Sequence, residues 1–146
     1  MKRVITFGSF DILHPGHIYF FKQAKKYGDY LFVVVARDKT IEKIKGRKPL
    51  YDETKRREAV QKIRIVNKAV LGDLEDPYKI IERVHPDVIC LGYDQESFVD
   101  NLEAELKKRH LHPKIVKLKP YRPEQYKSSK FKWFLHHYIV VTNEKI

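Results

Sequence analysis

The segment LFVVVA, Leu31 to Ala36, contains no polar residue. A strand with one wet face alternates apolar and polar side chains, so an unbroken β-branched run predicts a strand buried on both faces. That calls for a parallel sheet with helices on each side.

The rest of the chain falls into step with this strand. Val4 to Phe7 is a short β-branched and aromatic run ending at Gly8, and Ile18, Phe21 and Ala24 recur at helical spacing within 16–27 before Gly28. A second helix is expected over 52–63, with Asp52 as its cap and Glu53 in its first turn. Strand 69–71 ends at Gly72, and helix 77–84 carries Pro77 in its first turn. Val88 to Leu91 is a further buried strand closed by Gly92, followed by helix 96–109, strand 114–118 and a last helix over 128–138. Strand and helix alternate, so the expected fold is α/β: a single Rossmann-like, doubly wound parallel sheet with helices on both faces. The 146 residues suit one domain over 1–146, with a short polar tail from about 139.

Composition narrows the setting. The N-terminus MKRVITFG has no apolar stretch of signal-peptide type, and no run approaches the roughly 18 apolar residues that span a bilayer. A cytoplasmic protein away from the membrane is expected. The single cysteine, Cys90, sits in DVICL and reads as a small apolar residue of a buried strand. A net charge of +11 predicts attraction to polyanions, from nucleotides to nucleic acid. The chain carries no aromatic RNP strands and no helix-turn-helix, so a non-catalytic nucleic-acid-binding module ranks behind a small-molecule site.

In doubly wound sheets ligands bind outside the carboxyl ends of the strands, where the strand order reverses. FGSFDILHPGH (7–17) follows the first strand, ARDKT (36–40) the second and GYDQ (92–95) the strand at 88–91, so all three meet on one rim. His14 and His17 stand three apart around Pro15 and Gly16. Zinc is disfavoured, because a catalytic site needs three protein ligands and nothing in the sequence completes the pair. A nucleophile and base pair is also weak, since neither Ser9 nor Cys90 comes with a third group. A phosphate site fits better: Gly8 lets the backbone turn closely, a helix N-terminus presents unpaired N–H groups to an anion, and imidazoles donate to phosphoryl oxygens.

GSFDILHPGH, placed after the first strand, resembles the HxGH nucleotidyltransferases, the cytidylyltransferase-like group, in which Gly8, Phe10 and Asp11 also agree. LGYDQ (91–95) resembles the group's segment lining the nucleotide base pocket, and KSSK (127–130) its segment at the start of the last helix, with Lys127 in place of the usual serine. Among members, ARDKTIEKIKGRKP (36–49) and KRREAV (55–60) are most similar to archaeal FAD synthetases, which transfer AMP from ATP to FMN. Glycerol-3-phosphate cytidylyltransferases share the scaffold, and other phosphate-acceptor adenylyltransferases are more distant.

The resemblance implies that His14 and His17 are catalytic and that Gly8, Ser9, Phe10, Asp11, Gly16, Gly92, Asp94, Ser128, Ser129 and Lys130 bind the nucleotide. Lys45, Arg47 and Lys48, read as a flexible basic loop around Gly46, are expected to hold a polyphosphate or the acceptor's phosphate, together with Arg56. Mg²⁺ or another divalent cation is expected with the triphosphate, held chiefly by phosphate oxygens. Asp11 either assists the cation or orders the HPGH turn. Tyr121, Tyr126, Phe131, Trp133 and Phe134 cluster near the last segment as candidates for stacking on a flavin ring, although helix residues such as Phe131 and Phe134 are more often core. Members of the group are often homodimers, and the sequence by itself leaves the oligomeric state open.

Overall fold

The computed structural model describes residues 1–92 and 95–119. Five strands run in parallel in the order β3-β2-β1-β4-β5: β1 (Arg3–Gly8), β2 (Tyr30–Val35), β3 (Lys68–Leu71), β4 (Val88–Leu91) and β5 (Lys114–Lys117). Between them lie α1 (Pro15–Lys25), α2 (Asp38–Lys45), α3 (Glu53–Gln61), α4 (Lys79–Val84) and α5 (Glu96–Lys108).

Because side chains alternate along a strand, β4 feeds two cores at once. Val88 and Cys90 join Ile18, Phe21, Val60 and Ile63 of the α1 and α3 side. Ile89 and Leu91 join Ile81, Leu102 and Leu106 of the α4 and α5 side. All four β4 residues are buried, as are Leu31, Val33, Val34 and Val35 of β2, which is the arrangement the unbroken apolar runs predict. Burial pushes the Cys90 thiol up to about 12, so it is an inert packing residue. Among the described residues no helix is long and apolar enough to cross a membrane.

Two elements differ from the sequence reading. Residues 38–45, to which the sequence reading assigns no element and whose last residue, Lys45, is expected in a flexible basic loop, form α2. Asp38 in its first turn and Lys43 and Lys45 in its last complement the helix dipole. Gly46, at φ +72°, closes it in the left-handed region, and its N–H bonds Glu42 O at 2.8 Å. α4 begins at Lys79, two residues after the expected start, because acidic side chains hold the preceding backbone in turns. Asp73 accepts from Glu75 N and Asp76 N, and Asp76 from Tyr78 N. The last predicted helix, 128–138, lies outside the described residues.

The order β3-β2-β1-β4-β5 reverses between β1 and β4. These two strands pair at Val4↔Val88 and Ile5↔Ile89, whereas β1 and β2 pair along all six positions from Arg3↔Tyr30 to Gly8↔Val35. The β1 and β4 ladder therefore stops short of the carboxyl ends, at the point where a ligand crevice is expected.

Candidate active site

The loop after β1 is shaped by Gly8 and Phe10. Phe10 adopts φ +50°, and its ring folds back so closely over Gly8 that a Cβ there would stand 2.5 Å from the ring. Only glycine leaves that space. Phe10 is buried, with its ring centroid 5.1 Å from Phe21 and 5.3 Å from His17 in an edge-on contact. The Phe10 ring belongs to the core, and it supports the loop and the His17 imidazole from beneath.

α1 then starts on histidine caps. His14 is the N-cap residue in extended conformation, and its Nδ1 accepts from Gly16 N at 3.0 Å. His17 Nδ1 accepts from His14 N at 3.3 Å, the reciprocal arm of a capping box made by two imidazoles. The rings stack with centroids 3.9 Å apart. Nitrogens that accept from backbone N–H groups carry no proton, so both rings are assigned the tautomer with the proton on Nε2. Burial lowers the pKa of His14, and burial followed by the neighbouring His14 pushes His17 down to about 4. Near neutral pH both are uncharged donors.

This changes the account of the anion site. Pro15 has no N–H, Gly16 N bonds His14 Nδ1, and His17 N and Ile18 N bond His14 O at 2.9 and 3.4 Å. The first-turn amides expected to face a phosphate are occupied by His14. Polarity at the helix end is passed outward instead, since a donor on Nδ1 strengthens the opposite Nε2–H as a donor.

Arg56 is the centre of the neighbouring wall. It is 1 % exposed and sends Nε to Tyr51 O, Nη1 to Ser9 O and Ala36 O, and Nη2 to Asp38 Oδ1, all within 2.9 Å. The guanidinium is enclosed by protein acceptors, and Arg56 ties together the chain after β1, after β2 and before α3. Asp11 completes the clasp, its oxygens accepting from Leu50 N at 2.7 Å and Tyr51 N at 2.8 Å. Partial burial raises its pKa, but these two amides, with Arg56 and Lys45, outweigh that and hold the carboxyl below its ordinary value. Glu53 does similar work for α2, accepting from Asp38 N at 3.0 Å and pairing with Arg37.

Ser9, Asp11, Lys45, Arg47 and Lys48 line one cavity of about 330 Å³, with Lys45 Nζ 3.5 Å from Ser9 Oγ. The structure thus brings the basic cluster against the chain after β1, as expected, but on the end of a helix. On the other side of β1, Gln95 bridges the diverging strands: its Oε1 accepts from Gly92 N at 2.8 Å and its Nε2 donates to Phe7 O at 2.9 Å. Gln95 stood in the quoted LGYDQ without an assigned role, and only its reach across the sheet reveals one. Asp94, Ser128, Ser129, Lys130, Tyr121, Tyr126, Phe131, Trp133 and Phe134 lie outside the described residues.

Among the described residues no group of three or more His, Cys, Asp and Glu side chains could hold a metal ion. Asp11 is engaged with backbone amides, so the described residues do not offer Mg²⁺ a protein-built cage.

The cytidylyltransferase-like family matches residues 5–133. The chain belongs to this family. As a cytidylyltransferase-like protein it is 50 % identical over 121 residues to the FAD synthase of Aciduliprofundum boonei, covering 83 % of this chain and 80 % of that one. It is 47 % identical to the FAD synthase of Methanohalophilus mahii, covering 84 % of this chain and 85 % of that one. A crystal structure described as the lipopolysaccharide core biosynthesis protein from Thermoplasma volcanium superposes with a TM-score of 0.78 at 42 % identity, covering 84 % of this chain and 99 % of that one. Pantoate-beta-alanine ligase from Francisella tularensis, at 14 % identity and a TM-score of 0.55 over 90 % of this chain and 67 % of that one, shares the fold alone.

Proposed function

We propose that this nucleotidyltransferase transfers AMP from ATP to FMN, giving FAD and pyrophosphate. The observation that carries the reading is the pair of Nε2-protonated imidazoles held at the start of α1, beside the strand-order reversal, in a chain whose relatives at 45–50 % identity are FAD synthases.

An oxygen of the FMN phosphate attacks the α-phosphorus of ATP in line; the new P–O bond forms as the bond to the β-phosphate oxygen breaks, and pyrophosphate leaves with that electron pair. The nucleophile is ionised near neutral pH, so no general base is required. Charge gathers on the α-phosphoryl oxygens, where His14 and His17 donate from Nε2 without first having to be protonated. Lys45, Arg47 and Lys48 offset the charge of two approaching phosphate groups, and the Arg56 clasp keeps their wall in register with the histidines. A divalent cation such as Mg²⁺, when bound, would be held chiefly by the triphosphate's own oxygens and would supply further charge neutralisation there. The reading carries a cytoplasmic setting.

The test is direct. Incubating the protein with Mg²⁺, ATP or CTP, and FMN or glycerol 3-phosphate is expected to give FAD from the ATP and FMN pair. CDP-glycerol without FAD would overturn the proposal.

A further inference from the structure

Ile12, Ile44, Leu50 and Tyr51 are four of the seven large hydrophobic side chains exposed among the described residues. An exposed aliphatic residue taken singly is ordinary. Here the four fall in two neighbouring stretches, the chain after β1 and the segment from the end of α2 to the start of α3. Ile12 is 58 % exposed and Leu50 68 %, and with Pro49 they line the same cavity as Lys45, Arg47 and Lys48. The clasp from Asp11 to Leu50 N and Tyr51 N fixes these stretches against each other, so the apolar wall is held in place by backbone bonds.

Resting on the FMN reading, we infer that this cavity is the acceptor subsite and that Ile12 and Leu50 form the ledge on which the isoalloxazine ring lies. Its polarity fits that one ligand. The cationic end is marked by Lys45 Nζ beside Ser9 Oγ, next to the carboxyl end of β1 and the histidine loop, which is where an attacking phosphate must enter. The apolar side is formed by Ile12 and Leu50. FMN has this character, an anionic phosphate joined through a polar ribityl chain to a large apolar ring. Among the described residues the one carboxylate lining the cavity, Asp11, is turned to the amides of Leu50 and Tyr51, so its oxygens are already engaged within the wall. Glycerol 3-phosphate would use the cations and leave the ledge in water. The ledge therefore sets acceptor specificity, and the cations serve any phosphate acceptor.

Steady-state kinetics with Ile12→Ser, Leu50→Ser and the double variant test this, with Leu74→Ser, an exposed leucine of a separate cavity, as the control. Each ledge variant is expected to raise KM for FMN about tenfold while KM for ATP and kcat stay within about threefold; the control should leave all three unchanged. A double variant that makes FAD with wild-type KM for FMN would show that the ring lies elsewhere, and FMN adenylylation would still stand. Equal losses for ATP and FMN would also overturn the ledge. If the wild-type protein makes no FAD from FMN and ATP, the functional reading itself fails and the ledge falls with it.

Discussion

At His14 the imidazole that meets phosphate in the proposed reaction also closes the first turn of α1, because Nδ1 accepts from Gly16 N. His17 mirrors this through His14 N. The two uses belong to different ring nitrogens, so they can be separated. In His14→Asn and His17→Gln an amide oxygen can take the place of Nδ1, while the donor on the far side of the ring is lost. FAD formation should fall about 100-fold or more in each, while thermal melting stays near that of the wild type. His14→Ala should lose the cap as well, about 1 kcal/mol in urea unfolding. A well-folded His17→Gln protein with near-normal turnover would refute the assigned role.

Between elements, the caps and clasps make stability depend on pH and on one buried cation. His17 has a folded pKa of about 4 against 6.5 for the ordinary side chain. Above about pH 7.5 neither state is protonated and the cap contributes fully. As pH falls from there toward 4, the unfolded chain takes up a proton that the folded chain refuses, so stability declines, by about 2 kcal/mol between about pH 7.5 and 5. Urea midpoints across that interval should show the slope, and His17→Gln should flatten it. Arg56 joins three segments by bonds to Tyr51, Ser9, Ala36 and Asp38. Arg56→Met fills similar volume but leaves three carbonyls and a carboxylate without their partner, for an expected loss of about 3–5 kcal/mol measured by urea unfolding. The charge changes Lys39→Gln or Lys43→Gln at exposed positions should cost under about 0.5 kcal/mol in the same measurement.

Across the molecule, what was legible in the sequence was what is local. The unbroken apolar runs at 31–36 and 88–91 identified strands buried on both faces, and the alternation of strand and helix predicted the doubly wound sheet. The motif's place after β1 put it on the ligand-binding rim, since all strands of a parallel sheet end on the same side. α2 was less legible because Ile41 is its one buried residue among charges, so it has almost no apolar stripe to announce it; the Gly46 cap was its signal. The inward turn of Arg56 and Phe10, the Gln95 bridge and the occupied amides of α1 were decided only by tertiary structure. Whether a polar group faces solvent or is enclosed depends on its partners, and those of Arg56 at Ser9 and of Gln95 at Phe7 lie 47 and 88 residues away. The amino-acid order alone thus determined the sheet, the rim and the chemistry gathered there, because periodicity and motif spacing act over a few neighbouring residues. The folded chain decided which of those groups is enclosed in the frame and which is left at the rim, because buried hydrogen bonds must be satisfied by segments that only folding brings together.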